Sequence, residues 1–503
     1  HLMAAAGLLH DAGKVLEPAG VPLSEDEYRL EQLICPTDRH GRSTHRHVLY
    51  TARLFNEIKS NFGGLDGDAL FRIACNHHRP TSSNVDENLL TRADRLASGH
   101  DRRQGAEGAD ERITGLTALV ALLHDANTGA SEPTQIPTTQ LGFDEENYLP
   151  HAPQSFATYK AQCESLVPNL IDSLSQDYCN PRDCVDRIIA VTHRLFSSVP
   201  ASRMRGEVPD VSLFDHSRAV AAFAACLAMH HEEETKTASP GFRLVGFRLG
   251  GIQDFIFRPT APVDESGAGE KGLARRLRAR SFFLTVISRL VCNRLLEGTG
   301  LPSVNLLFDA GGQGMILAPD CSSVMDDLKT TASQIRRWFI DRFGGALRLD
   351  LALSERLEEE AFAEGSFART YQQAIASVDR ARLSLPSDRF HQAGEWQSDG
   401  WVDNTSFGLH VDDDRFIQDL DRIGQRLPRS RYISFDHANN ASGATASFEV
   451  LGYRVTLYDS KPHNGSHFAL QLDEDLHQPN ILTANYIPVA SHADLTVLRQ
   501  QEN

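Results

Sequence analysis

Paired cysteines, long apolar runs and a surplus of positive charge are all missing from this chain. Its 8 cysteines among 503 residues stand singly apart from Cys179 and Cys184, and no CxxC pair occurs. That leaves nothing to build a disulfide framework or a zinc ribbon, and buried reduced thiols are expected. The longest apolar stretch, around Ala219 to Met229, is too short to span a bilayer, and the N-terminus has neither the basic nor the apolar region of a signal peptide. A cytoplasmic location with no membrane partner is expected. Lys and Arg number 50 against 67 Asp and Glu, a formal net charge of −17. Bulk electrostatics cannot hold such a chain on nucleic acid, so phosphate contacts must come from local clusters such as Arg275, Arg276, Arg278 and Arg280. That Arg cluster reads equally as a solvated helix start. With 41% hydrophobic and 23% charged residues the composition is that of a folded protein, and the length implies about three domains.

Metal-ligand residue types are present, beginning near the N-terminus. Met3 to Ala12 reads as an apolar helix ending in His10-Asp11-Ala12-Gly13-Lys14, with Gly13 as its C-terminal stop. His45-Arg46-His47 opens another helix, with Val48, Ala52, Phe55 and Ile58 on one face. Asn76-His77-His78-Arg79-Pro80 ends a further helix, and Asp94 lies within one more. Imidazole nitrogen and carboxylate oxygen suit a divalent transition metal, and a series of this kind is the ligand set of HD-type metal phosphohydrolases. The candidate ligands are His10, Asp11, His47, His77, His78 and Asp94. His47 is favoured over His45 because it heads its helix. One or two ions there would supply the Lewis acidity for phosphodiester hydrolysis. Lys14, one turn from Asp11, is a candidate for reaching a phosphate oxygen, and equally an ordinary helix-terminal cation. A lone HD pair carries little weight. Leu122-Leu123-His124-Asp125 repeats the string with no histidine doublet after it and reads as structural or solvent-facing, with His40 and His100 as bystanders.

Gln104 to Glu111 is a polar, Gly-containing break, and Phe156 to Phe196 is helical in pattern. Asp210 to Met229 reads as a helix whose alanine face suits close packing against the next unit of the chain, with Asp215 and His216 taken as structural. Then Leu244 to Phe257 alternates as a strand, Arg275 to Glu297 is an amphipathic helix, and Val304 to Leu317 folds as a hairpin at Gly311-Gly312-Gln313-Gly314. A helix, Val324 to Phe343, and a strand, Ala346 to Leu353, complete β-α-β-β-α-β, a ferredoxin-like unit.

The strings GGIQDFIF, RLRARSFFL and LLFDAGGQG, together with PDVSLFDH, HDAGK and ADRLASG, resemble the Csm-type large subunit of type III CRISPR effector complexes. The resemblance implies a multidomain α+β chain: an all-α HD nuclease domain over 1–105, a helical connector over 106–240, a first palm over 241–356 and an inter-palm linker region over 357–503. It implies cleavage of single-stranded DNA when target RNA is bound, with manganese, nickel or magnesium as the divalent cofactor. The implied partners are crRNA, target RNA and the neighbouring small and crRNA-end-binding subunits. Such proteins convert ATP to cyclic oligoadenylates between two palms, with a GGDD hairpin on the second. No GGDD occurs here, and the Gly311-Gly312-Gln313-Gly314 hairpin lacks a carboxylate pair. ATP use is therefore expected only in a complete two-palm protein, with Ser281, Gly311 and Gly312 as a supporting nucleotide surface.

After the palm a loop is expected around Gln392 to Phe407 and a helix over Asp414 to Leu427, and Ser447 to Tyr458, His467 to Leu472 and Ala484 to Pro488 read as strands or connectors. The chain stops where a second palm would begin, which reads as truncation or a natural split. Most HD hydrolases carry a further ligand His upstream of the doublet; only nine residues precede His10, consistent with a rearranged HD domain. Two other readings stand beside this one: a non-catalytic scaffold contacting crRNA and neighbouring subunits, separated by metal content, and a free-standing HD nucleotide phosphohydrolase, separated by competition between DNA and nucleotide.

Overall fold

The structure is a computed structural model that describes residues 1–58, 62–101, 114–118, 135–141, 149–203, 208–233, 239–257, 269–343, 346–363, 366–381, 414–430, 432–437, 446–459 and 469–471. Six helices come first: α1 (Leu2–Leu9), α2 (Gly13–Ala19), α3 (Glu25–Ile34), α4 (His47–Glu57), α5 (Gly67–Asn76) and α6 (Val85–Asp101). Helix α1 is apolar all round and buried from Met3 to Leu9, as a helix running through a core must be. Helix α3 starts with a capping box in which Ser24 and Glu27 satisfy each other's backbone N–H groups, and Asp66 caps α5. Gly13 does not stop a helix as expected. It opens α2, because a Cβ there would stand 1.9 Å from the His47 carbonyl oxygen, and only glycine lets α2 meet the start of α4.

A two-stranded pair, β1 (Leu116–Thr117) and β2 (Gln135–Ile136), precedes α7 (Phe156–Leu174), α8 (Pro181–Phe196) and α9 (Leu213–Glu233). The small-residue face of α9 meets α1 at closest range, since a Cβ on Gly7 would lie 2.5 Å from Ala221 Cα. Contact with the palm combines apolar packing, with Phe223 edge-on to Phe242 at 5.5 Å, and polar clamps. The Arg218 guanidinium donates to the Leu306 and Leu307 carbonyls, and the buried Asn305 amide donates to Ala222 and Leu317 carbonyls at 3.3 and 2.8 Å.

The palm is β3 (Phe242–Gly250), α10 (Ile252–Phe257), α11 (Gly269–Thr299), β4 (Leu306–Ala310), β5 (Gln313–Pro319), α12 (Ser322–Phe343) and β6 (Arg348–Leu353). Its antiparallel sheet has the order β4-β5-β3-β6, the ferredoxin-like arrangement. One expectation fails here: the first strand stops at Gly250, and Ile252–Phe257 is helical. Gly251, at φ +85, turns the chain where a Cβ would strike the Ala346 carbonyl oxygen at 1.8 Å. Side chains alternate across the sheet. Val245, Phe247 and Leu249 join the core under α11 and α12, whereas Phe242, Leu244, Met315 and Leu317 join the core that runs back through α9 to α1. Helix α13 (Phe367–Ala381) packs on that second face, with Val378 against Gly246 and Tyr371 beside Phe308.

Helix α14 (Asp414–Arg426) leads to a second antiparallel sheet of β7 (Tyr432–His437), β8 (Ala446–Val450), β9 (Tyr453–Tyr458) and β10 (Ala469–Gln471) in the order β10-β7-β9-β8. The sequence pattern announces no strand at Tyr432–His437. The polar break expected at Gln104 to Glu111, the loop at Gln392 to Phe407, the Ala484 to Pro488 strand and His124-Asp125 lie outside the described residues. Among the described residues no helix is long and apolar enough to cross a membrane.

Gly7→Ala tests the α1–α9 contact. The better helix propensity of alanine contributes at most about 1 kcal/mol, against about 1–3 kcal/mol for overpacking, and backbone at 2.5 Å has nowhere to yield. A lowered urea midpoint is expected; an unchanged or raised one would show that the helices separate freely.

Candidate metal centre

Helix α1 delivers His10 and Asp11 into the interior at its C-terminal end, where they are 0% and 2% exposed. His10 Nδ1 lies 2.7 Å from the Gly7 carbonyl, and His77 Nδ1 lies 2.7 Å from the Ala74 carbonyl at the end of α5. Donation to these carbonyls puts the proton of both rings on Nδ1 and leaves the lone pair on Nε2. Those two Nε2 atoms and Asp11 Oδ1 are buried without a hydrogen-bond partner, an arrangement that costs free energy unless something else occupies their lone pairs.

The acceptors converge. His47 Nε2 is 2.9 Å and His77 Nε2 3.7 Å from Asp11 Oδ1, and His78 Nε2 is 3.2 Å from His47 Nε2. Ligands about 2.1 Å from one ion stand about 3.0–3.4 Å apart, so these separations fit a coordination shell. On the other side of the same carboxylate, Asp11 Oδ2 is 3.3 Å from His10 Nε2 and 3.5 Å from His216 Nε2. Asp94 Oδ1 is 3.3 Å from His216 Nε2 and 3.9 Å from His10 Nε2. Two groups thus adjoin, Asp11-His47-His77-His78 and His10-Asp11-His216, sharing Asp11 through its two oxygens. Neutral imidazoles and carboxylates are the donors of a divalent transition ion.

Secondary contacts hold the shell. Thr51 on α4 donates to the His10 carbonyl at 3.0 Å and accepts from Gly13 N at 3.0 Å. Thr91 on α6 donates to the His77 carbonyl at 2.6 Å. The Lys14 ammonium is held by Asp11 Oδ2 and the Ala201 carbonyl, each at 2.6 Å.

Electrostatics follow from this packing. Burial alone would raise the Asp11 carboxyl, but His10, Lys14 and His47 together hold it well below the ordinary range. Asp94 is likewise lowered, its burial outweighed by the hydrogen bond and charge of His216. Burial, reinforced by His10, pushes His77 down to about 3. Burial and the neighbouring His77 and His47 lower His78 too.

All six expected ligand residues come together, with Lys14 beside them. His45 lies on the rim, its ring 4.1 Å from that of His78, and His40 is exposed on a loop. The residue that sequence reasoning missed is His216. Asp215 is structural, bonded to Ser212 through both its backbone N–H and its carboxylate, but His216 turns into the centre from α9. No local pattern set His216 apart in the sequence: it is α9, from later in the chain, that brings it beside Asp11 and Asp94. The other candidates lie elsewhere. Gly311 and Gly312, at φ +61 and +78, form the β4–β5 turn, and Ser281 is exposed on α11. Asp309, beside that turn, is engaged within the fold, accepting from Ser288 on α11 at 2.6 Å. In the Arg cluster, Arg275 is 3.6 Å from Asp421 and the buried Arg280 donates to the Ile256 carbonyl at 3.0 Å, so both are held by internal partners.

Residues 1–99 match the HD domain family, and residues 241–393 match the family described as Csm1 subunit domain B. Curated relatives carry the name Cas10/Csm1, single-strand-specific deoxyribonuclease of CRISPR subtype III-A. The Enterococcus italicus protein is 28% identical over 283 residues, 52% of this chain and 36% of the relative. The Streptococcus thermophilus protein is 24% identical over 407 residues, 75% of this chain and 48% of the relative. This chain is similar to Csm-type large subunits. It spans about half or less of the length of those curated relatives. Among solved structures, a Csm1–Csm4 subcomplex of the type III-A interference complex matches with TM-score 0.60 at 21% identity, covering 91% of this chain and 55% of the other. A Csm1–Csm4 cassette in complex with one ATP matches at TM-score 0.59 and 21% identity, covering 91% and 55%. At that identity these two structures establish the fold alone, a multidomain α+β Csm1 architecture, here with the HD domain first.

The depressed pKa values give a pH test on metal-free protein. His77 and His78 stay neutral when folded but take protons near pH 6.5 when unfolded, so the unfolded state binds more protons below that value. Their stabilisation is complete above about pH 6.5 and is lost as the pH falls toward 3, at up to about 1.4 kcal/mol per pH unit for each histidine. The thermal midpoint in EDTA is expected to drop between pH 7 and pH 5, less steeply for His77→Gln. Equal slopes would show that His77 is protonated in the fold.

Proposed function

We propose that this chain supplies the metal-dependent nuclease centre of a type III-A CRISPR effector complex, hydrolysing phosphodiesters of single-stranded DNA when target RNA is bound. The observation that carries this reading is the convergence of His10 Nε2, His77 Nε2 and Asp11 Oδ1, three buried acceptors with no hydrogen-bond partner. Its support on the side of substrate is the name of the relatives, single-strand-specific deoxyribonuclease.

Asp11, His47, His77 and His78 would hold one ion, and His10, Asp11, Asp94 and His216 a second. When bound, manganese, nickel or magnesium supplies the Lewis acidity and positive charge for attack of water on phosphorus. The residues of the chain do the rest. Asp11 ties the two positions through its two oxygens, the Nδ1–H bonds of His10 and His77 aim their lone pairs, and Lys14 keeps Asp11 ionised and in place. In this reading the nuclease unit is residues 1–105 completed by α9 from the 106–240 segment, followed by the palm over 241–356 and the linker region over 357–503.

ATP binding and cyclic oligoadenylate synthesis belong to the pairing of this palm with a second one. Ser281, Gly311 and Gly312 would border the nucleotide, and the absence of a carboxylate pair at the turn leaves the palm here without a catalytic metal site of its own. The partners are crRNA, target RNA and neighbouring small and crRNA-end-binding subunits, in the cytoplasm.

Cleavage of end-labelled single-stranded DNA with manganese, by the chain alone and in the RNA-bound complex, tests the reading. His10→Ala/Asp11→Ala is expected to cut at least about 100-fold more slowly, since even residues outside the ligand shell cost about 10–100-fold. A wild type that cuts nothing in any metal or assembly would leave the scaffold role in its place. His216→Ala is expected to lower the bound metal measured after reloading stripped protein; unchanged metal content would make His216 a structural neighbour.

A further inference from the structure

The centre opens to solvent on one side. Its ligands run from fully buried His10 and His77 through His47, 8% exposed, to half-buried His78 and then exposed His45. On that side stands the connection between α3 and α4, a short hairpin of residues 36–46. Thr37 bridges Ser43 in antiparallel fashion, and Thr44 N donates to the Pro36 carbonyl at 2.8 Å. At the tip Asp38 N donates to the Arg42 carbonyl and Gly41, at φ +76, to the Asp38 carbonyl. Asp38 Oδ1 also accepts from His40 N and Arg42 N at 2.8 and 2.9 Å. Five backbone-directed bonds therefore fix a loop of this size before any ligand arrives.

Its base is fastened to the metal ligands from both directions. Arg79, next to His78, donates to the Gln32 and Cys35 carbonyls at the end of α3. On the other strand the chain passes through His45, a non-glycine residue at φ +53, directly into ligand residue His47. Left-handed backbone at a histidine is uncommon, and here it sets the ring beside His78.

The hairpin carries Arg39, Arg42 and Arg46 against a single acid, Asp38, in a chain of net charge −17. Asp38 is spent on backbone N–H groups, and Arg46 lies 3.4 Å from Glu31. Arg39 and Arg42 are exposed, and among the described residues neither lies within ion-pair distance of a carboxylate. No Phe, Tyr or Trp occurs between residues 36 and 46, so the hairpin offers charge for phosphates and no aromatic platform for bases.

We propose that the 36–46 hairpin is a preorganised phosphate-binding arm that grips the backbone of single-stranded DNA at the mouth of the metal centre, through Arg39 and Arg42. The direction in which the strand is fed rests on the nuclease reading; the binding itself requires no metal. The grip is independent of base sequence and delivers a strand past His45 and His78 toward Asp11.

The test is the anisotropy of a labelled oligothymidylate with the full chain in EDTA, across a salt series. Each phosphate contact to a single strand contributes about 0.7 to the slope of log K against log salt. Arg39→Glu/Arg42→Glu is expected to weaken binding by at least about 10-fold and to lower the slope by about 1.4. Arg39→Gln/Arg42→Gln, the gentler change, is expected to lower the slope equally, and Arg42→Lys to keep it; matching thermal midpoints report that each variant is folded. Unchanged affinity and slope in both double variants, or a wild type that does not bind the strand, overturns the proposal. Metal content of the same protein preparations, after EDTA is removed and manganese is added back, separates the two ideas: a wild type that binds the strand through these arginines but takes up no metal removes the nuclease reading and leaves the arm.

Discussion

A carboxylate taken almost wholly out of water stays ionised only if positive charge or hydrogen bonds are brought to it, and Asp11 sets that condition for the whole N-terminal half. The side chain is 2% exposed, with Lys14 on one oxygen and four imidazoles around both. Helices α1, α4, α5 and α9 reach the centre at an end or a first turn, where a side chain can point along the axis into the gap between elements, and α6 presents Asp94 from its middle. Helices α1 and α5 use the same device, a histidine just past the last turn whose Nδ1 returns to the carbonyl three residues earlier. That bond orients the ring and fixes the proton in one step.

The palm is part of this constraint. Its sheet is buried on both faces: one against α11 and α12, the other against the core that reaches α1 through α9. Helix α9 therefore has two duties. Arg218 and the Asn305 amide lock it to the palm, and one turn away His216 enters the metal centre. Helix α6 is similarly placed, carrying Asp94 on the side of the centre and pairing Arg92 with Glu359 next to the palm. The position of two candidate ligands, Asp94 and His216, is thus referred to the palm, whereas His47, His77 and His78 are referred to α4 and α5.

Much of this was legible in the chain because it is written in local chemistry. Apolar periodicity showed α4, α11 and α12, and the glycines at 311 and 312 marked the β4–β5 turn, where positive φ is required. The candidate ligand residues of α1, α4, α5 and α6 were visible because they sit in short strings of rare composition. Where pattern misled, competing local explanations were equally good. IQDFIF alternates well enough for a strand, but Gly251 breaks the ladder first. Gly13 looks like a helix stop, and only the 1.9 Å approach to the His47 carbonyl shows why glycine is needed at a helix start. Tyr432–His437 is too short a run to announce itself as a strand without its partners β9 and β10.

His216 marks the boundary between the two kinds of information. By itself the sequence determined that an HD-type ligand set and a β-α-β-β-α-β palm occur in one chain of globular composition, because residue type and spacing along an element fix which faces are apolar and which carry donors. It could not determine that a helix some 200 residues after His10 would bring His216 into the same cluster. That depends on α9 lying against α1 at glycine–alanine distance and on the palm holding it there, and distances between elements are set by packing of whole surfaces, which no local pattern encodes.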